Sequence, residues 1–205
     1  MTEIKRIMTG EIQENCYIIY QDNVALIIDP GAEASKIKAE IAKLQVTPIA
    51  VLLTHCHYDH IGALEEIRAA YSIPVYVSPK EQAWLSNPEL NLSAHIAGKQ
   101  IIAEPAEYEF KLGEYNIEDF HFKVVPTPGH SIGSLSFIFD DFVIVGDALF
   151  RGSIGRTDLH TGDFDTLINS IKKELFVLPD DLLAYSGHGE VTTIGHEKET
   201  NPYFN

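Results

Sequence analysis

The sequence is poor in the features that would tie it to an oxidising compartment, a membrane or a nucleic acid. It has two cysteines, Cys16 and Cys56, in 205 residues, which is no disulfide framework. A reduced, cytoplasmic setting is therefore expected. No apolar run approaches the roughly 20 residues that span a bilayer, so no membrane attachment is expected. The first residues, MTEIKRIMTGE, contain Lys5 and Arg6 but lack the apolar stretch of a secretory signal. Basic residues are scarce, 15 Lys and Arg against 30 Asp and Glu, for a formal net charge of −15. Such a surface argues against unspecific binding to nucleic acid or anionic lipid. There is no low-complexity segment, short repeat or Gly/Ser linker. With 45% hydrophobic residues, one domain over 1–205 is the economical reading.

Short β-branched runs alternate with amphipathic stretches. Cys16–Tyr20 and Val24–Ile28 read as strands joined by a turn at 21–23, and Asp29-Pro30-Gly31 stops the second. Ile37, Ile41 and Leu44 have helical spacing within Ala34–Leu44. Ile49–Leu53 is apolar throughout, as in a strand buried on both faces. A helix over Ile61–Ala70 and a strand at Val75–Val77 follow. In the second half, Phe120–Val125, Leu135–Phe139, Phe142–Val145 and Leu182–Tyr185 read as strands, and Asp163–Leu175 as a helix. Residues 86–104 match neither period and are expected to form a long loop or broken helix. The pattern is that of a layered α/β protein.

Chemistry concentrates in Thr54-His55-Cys56-His57-Tyr58-Asp59-His60, directly after a buried strand. In extended chain, residues two apart share a face, so His55 and His57 address one point, and Asp59 and His60 a neighbouring one. Imidazole and carboxylate are ligands for zinc, iron and manganese. Cys56 alternates with the two histidines, so its thiol should point away as a buried, inert group. Three later segments each place one such ligand just past an apolar strand and beside glycine: Gly129-His130, Gly146-Asp147 and Gly187-His188. Asp29 either caps the Pro30-Gly31 turn or holds the second ring nitrogen of a histidine ligand. His95, His121, His160 and His196 lack this strand-end context.

The set, in this order, resembles the metallo-β-lactamase superfamily over nearly the whole chain. The resemblance implies a four-layer αββα sandwich and two metal ions. His55, His57 and His130 would hold one ion. Asp59, His60 and His188 would hold the other, and Asp147 would bridge both. Asp59 and Asp147 would thus serve catalysis as well as metal binding. Zinc is the first expectation, with iron or manganese as the alternatives. Two such ions lower the pKa of a shared water towards neutrality, giving a hydroxide that attacks a carbonyl carbon.

The stretches Gly146–Asp158 and Ser186–Glu190, with Thr192–Gly195 and Glu197–Pro202, look like the glyoxalase II-like hydrolases, most of all the short bacterial and archaeal members. That resemblance implies a thioesterase acting on a small anionic substrate such as S-D-lactoylglutathione. Two departures touch the thiol. Longer glyoxalase II enzymes have a helical C-terminal domain that supplies part of the glutathione site, for which the residues after His188 leave no room. They also have a lysine near the position of Arg156. An anionic substrate needs a local cation in so acidic a chain. Arg156 and Arg151 either supply it or make ion pairs, with Asp158 or Asp163 for instance. Other readings are an iron-dependent persulfide dioxygenase, a lactonase or other metallo-hydrolase, and a non-catalytic metal-binding protein.

Overall fold

The computed structural model describes residues 2–95 and 99–205. It divides into two compact units, Met1–Phe110 and Lys111–Asn205, each described by itself below. Among the described residues no helix is long and apolar enough to cross a membrane.

The first unit is built on a six-stranded sheet. β1 (Glu3–Thr9), β2 (Glu14–Gln21) and β3 (Val24–Ile28) form an antiparallel meander. The chain then crosses over through helix α1 (Ala34–Leu44) to β4 (Thr47–Leu52), which lies parallel to β3. α1 buries Ala34, Ile37 and Ile41, a stripe at helical spacing, and ends at Gln45 in the left-handed conformation. After β4 come the short helix α2 (Tyr58–Ile61), α3 (Leu64–Tyr71), β5 (Val75–Val77) and β6 (Tyr108–Glu109), the last two parallel to their neighbours.

Where one helix was expected over Ile61–Ala70 there are two, broken at Gly62 and Ala63. The cause is tertiary: the Ala63 N–H donates to Pro30 O at 2.9 Å instead of to the preceding turn. The cluster beneath the helices includes Ile27, Ile37, Val51, Cys56, Leu64 and Trp84. In the segment 86–104 the chain runs through turns and a single 3-10 turn at Ser93–His95. Residues 96–98, which belong to that loop expectation, lie outside the described residues.

The second unit has a six-stranded sheet of its own, in the order β14-β13-β10-β9-β8-β7. β7 (Gly113–Ile117), β8 (Phe120–Pro126), β9 (Leu135–Ile138) and β10 (Phe142–Gly146) run antiparallel. A small hairpin, β11 (Leu149–Phe150) with β12 (Ser153–Ile154), follows. Helix α4 (Phe164–Ser170) is capped by the Asp163 side chain, which accepts from Thr166 N–H, and it continues as a wider π turn over Ile171–Leu175. β13 (Leu183–Ser186) returns parallel to β10, β14 (Thr192–Thr193) pairs with it, and helix α5 (Ile194–Thr200) ends the element order. Val143, Val145, Leu167, Ile171, Leu175, Ala184 and Ile194 form the core under α4 and α5. β1, β7 and α5 are elements the sequence pattern did not announce.

Candidate active site

In the first unit the ligand-type residues leave the ends of two adjacent parallel strands. Asp29 follows β3, and His55 follows β4 after Leu53 and Thr54. His57 keeps extended backbone (φ −67°, ψ 150°) and caps α2, which carries Asp59 and His60. His55, His57 and His60 are all buried. Their rings converge, with centroids 4.7 Å apart for His55 and His57 and 4.1 Å for His55 and His60. Cys56, between them, is sealed in the apolar core as a free thiol. Burial is the first cause that pushes its pKa well up, and the carboxyl groups of Glu81 and Asp29 add to it.

Hydrogen bonds select the ring tautomers. Asp29 accepts from Thr54 N–H at 2.8 Å and from the Thr54 hydroxyl at 2.5 Å. Asp29 Oδ2 also lies 3.0 Å from His60 Nδ1. The carboxylate therefore accepts a hydrogen bond from His60 Nδ1–H, which leaves Nε2 as the lone-pair nitrogen. The Thr54 hydroxyl donates its proton to Asp29, so the contact of 3.1 Å to His55 Nδ1 has the ring as donor. His55 Nε2 is then an acceptor as well. Asp29 thus does more than cap the Pro30-Gly31 turn. Glu14, fully buried, accepts from the Thr9 hydroxyl at 2.6 Å and comes within 4.0 Å of His60 Nδ1. Burial raises its pKa well above the ordinary range, against a lowering by His60.

In the second unit the same design recurs. His130 follows β8, Asp147 follows β10, and His188 follows β13, the parallel partner of β10. His130 Nδ1 lies 2.8 Å from Arg156 O; a carbonyl only accepts, so Nδ1 holds the proton and Nε2 the lone pair. Asp147 Oδ2 stands 3.5 Å from His130 Nε2 and 3.6 Å from His188 Nε2. These separations are long for hydrogen bonds. Ligands about 2.1 Å from a tetrahedral ion are roughly 3.4 Å from one another. In the first unit, Asp59 Oδ2 and His60 Nε2 are likewise 3.4 Å apart. The donor set in each unit, imidazole Nε2 with carboxylate oxygen at these spacings, fits borderline divalent ions such as zinc and iron.

The two arginines are placed differently. Arg156 forms a two-bond fork with Asp158, Nε to Oδ1 at 2.7 Å and Nη2 to Oδ2 at 2.8 Å, on the exposed surface. That hydrogen bonding is the main reason the Asp158 pKa falls to about 2. Arg151 borders an open cavity of about 250 Å³ with Leu183, Val191, Thr192, Thr193 and His196. Leu183 begins β13, whereas His188 lies past its far end. Arg156 is not among the residues that line that cavity. Glu14, Thr54 and Glu81, all buried, and Trp84 were missed by sequence reasoning. Only Thr54 had a signal, as the hydroxyl heading the histidine run.

Comparison with known proteins agrees with this architecture. A family profile described as the metallo-beta-lactamase superfamily matches residues 9–188. A probable metallo-hydrolase of Streptococcus pyogenes serotype M6 is 50% identical, covering 93% of this chain and 85% of that protein. The probable metallo-hydrolase YqgX of Bacillus subtilis is 45% identical over 98% of this chain and 97% of its own. The hydroxyacylglutathione hydrolase GloC of Haemophilus influenzae is 36% identical over 98% of both. Among solved structures, the BLEG-1 B3 metallo-beta-lactamase superposes with a TM-score of 0.96 at 42% identity, covering 99% of this chain and 100% of that one. TTHA1623 in a di-iron-bound form gives 0.87 at 35% identity, with 97% and 99% covered. The fold is the metallo-β-lactamase fold, mixed α/β with two sheets, and the chain is a metallo-hydrolase belonging to the metallo-β-lactamase superfamily.

Proposed function

We propose that the two units act as one domain and together hold two divalent metal ions, with hydrolysis of a small anionic thioester as the reaction. The observation that carries the reading is Asp147 Oδ2, at near-equal distance from His130 Nε2 and His188 Nε2, as a carboxylate shared by two ligand sets would be. On this reading His55, His57 and His130 serve one ion, Asp59, His60 and His188 the other, and Asp147 both. Two ions so held would supply Lewis acidity, which lowers the pKa of water towards neutrality and polarises a carbonyl. The chain does the positioning. Asp29, Thr54 and the Arg156 carbonyl engage Nδ1 of His60, His55 and His130, so Nε2 carries the lone pair in those three rings. Asp59, more solvent-accessible than Asp29, accepts a hydrogen bond from the attacking water and orients it. Water adds to the thioester carbonyl carbon, the C–S bond breaks, and the products are a carboxylic acid and a thiol.

The name of GloC supports a hydroxyacylglutathione such as S-D-lactoylglutathione as substrate. Arg156 is the candidate for its carboxylate, in exchange for the bond to Asp158, because both side chains are exposed. A cytoplasmic enzyme without nucleic-acid or membrane partners agrees with the net charge of −15. Zinc or iron is the proposed metal, iron being the one named for TTHA1623. The test is elemental analysis after loading with zinc or iron, with S-D-lactoylglutathione hydrolysis assayed with and without oxygen. Two ions per chain and oxygen-independent, chelator-sensitive hydrolysis are expected. A ceiling of one ion, or oxygen uptake on glutathione persulfide without thioester cleavage, would overturn the proposal. So would hydrolysis of a β-lactam alone, the reaction that the BLEG-1 name raises.

A further inference from the structure

Three consecutive residues of the ligand loop are each gripped from a single segment that supplies no ligand. The Cys56 N–H donates to Glu81 Oε2 at 2.6 Å. The His57 ring stacks on Trp84, with centroids 5.8 Å apart and planes 27° from parallel. The Tyr58 N–H donates to Asn91 O at 2.9 Å. Glu81, Trp84 and Asn91 are buried. They are also tied to one another, because Trp84 N–H donates to Glu81 O at 2.9 Å and Asn91 Nδ2 donates to Trp84 O at 3.0 Å. The segment is in place because it follows β5, the hydrogen-bonded neighbour of β4. The loops leaving two adjacent parallel strands run side by side.

We infer that Glu81, Trp84 and Asn91 are positioning residues that set the aim of His55 and His57, and that this is the task of the segment after β5. The inference rests on the metal-binding reading above. The geometry says why these contacts matter. The peptide between His55 and Cys56 turns about ψ of His55 and φ of Cys56. Those angles decide whether the two imidazoles on either side face the same point. A buried N–H needs an acceptor, but a buried carboxyl group is a costly one unless it is well bonded. Its use here, at the first of the two amides that link the two candidate ligands, fixes that plane. The indole face then limits His57 to one ring orientation.

The chain's single tryptophan is Trp84 itself, so its fluorescence reports events at His57 without a label. Metal-free full-length protein is titrated with zinc chloride, and fluorescence is followed in wild type, Glu81→Ala and Glu81→Gln. Wild type should show a saturable change. Glu81→Ala should weaken zinc binding by about 10–100-fold, the usual effect of removing a group that orients a ligand. Glu81→Gln, which keeps an acceptor for the Cys56 N–H, should recover most of it. Should Glu81→Ala not fold, Trp84→Leu titrated by calorimetry serves instead, with the same weakening expected. A merely structural segment gives a lower melting temperature and unchanged zinc affinity in the folded variants, and that result overturns the inference while leaving the metal site standing. No zinc response in wild type by either method overturns the metal-binding reading and the inference with it.

Discussion

Gly155→Ala tests how closely the second unit's ligands are set. A Cβ added at Gly155 falls 1.8 Å from Asp147 O, 3.0 Å from Asp147 C and 3.2 Å from His130 Nδ1. The closest ordinary carbon–oxygen contact is about 3.3 Å, so something must move by about 1.5 Å. The atom met first is backbone and cannot swing aside. Asp147 is held between Gly146, hydrogen-bonded to Gly187, and Ala148, bonded to Val145 and Gly155. Overpacking of this kind costs about 1–3 kcal/mol, or roughly 2–12 °C in melting temperature for a chain of this size. Misplacing catalytic groups by about 1 Å lowers rates by about 100-fold. The control lies three residues earlier, in the turn between β11 and β12. Gly152 has φ +70° and nothing within 4 Å of an added Cβ, so Gly152→Ala meets only the left-handed backbone penalty of about 1–2 kcal/mol. Melting curves, metal content and thioesterase kinetics on both variants decide the matter. The expectation is a similar loss of stability in both and loss of activity or metal in Gly155→Ala alone. Wild-type metal content and activity in Gly155→Ala, or equal losses of activity in the two, would refute the reasoning.

Two further perturbations follow from the hydrogen bonding. The Asp158 pKa is depressed from its usual value to about 2, so the pair with Arg156 should be complete above pH 4 and open as pH falls through about 2. A carboxyl NMR titration reads that midpoint, which should return towards the ordinary value in Arg156→Ala, and the same variant should raise KM for a charged thioester more than for a neutral one. Buried Glu197 accepts from Gly152 N–H at 2.9 Å, Thr192 Oγ1 at 2.5 Å and Asn201 Nδ2 at 2.8 Å. Glu197→Ala leaves those donors without their acceptor and should cost about 2–3 kcal/mol in urea unfolding, whereas Glu197→Gln should recover most of it because the Thr192 hydroxyl can reverse its role.

Where local chemistry decided the structure, the sequence was readable. The strands Val24–Ile28 and Val75–Val77 and the helix Ala34–Leu44 have the bounds that their apolar spacing indicates. The candidate ligands were readable for the same reason: each stands just beyond an apolar strand, and the His55–His60 run brings four of them together. β1 was hidden because Lys5 and Arg6 interrupt its apolar pattern on a strand that is only partly buried. α5 was hidden because its capping by Thr193 and the burial of Glu197 replace an apolar stripe with polar contacts. The break between α2 and α3 depends on Pro30, far back in the chain. Glu14, Glu81 and Trp84 gain their meaning from residues 25 or more positions away or across strand pairs, a relation no local pattern contains. Arg156 illustrates the remaining limit. Its charge was evident, but only the fold decides that Asp158 holds it.

In each unit a parallel strand pair, β3 with β4 and β10 with β13, delivers side chains to the candidate site, and antiparallel β8 adds His130 in the second. Parallel neighbours cannot be joined by a tight turn; the chain has to travel back through a crossover. Length is therefore free in one place and fixed in another. Residues added within the crossovers, near α1 or between α4 and β13, lengthen a loop at an entropic cost that grows only logarithmically. One residue added inside β4 or β13 reverses which side of the sheet every later side chain faces, and turns His55 or His188 away. Variation in this architecture is thus channelled: the return paths can drift in length and composition and take up new recognition surfaces, while the exits of the strands keep their count.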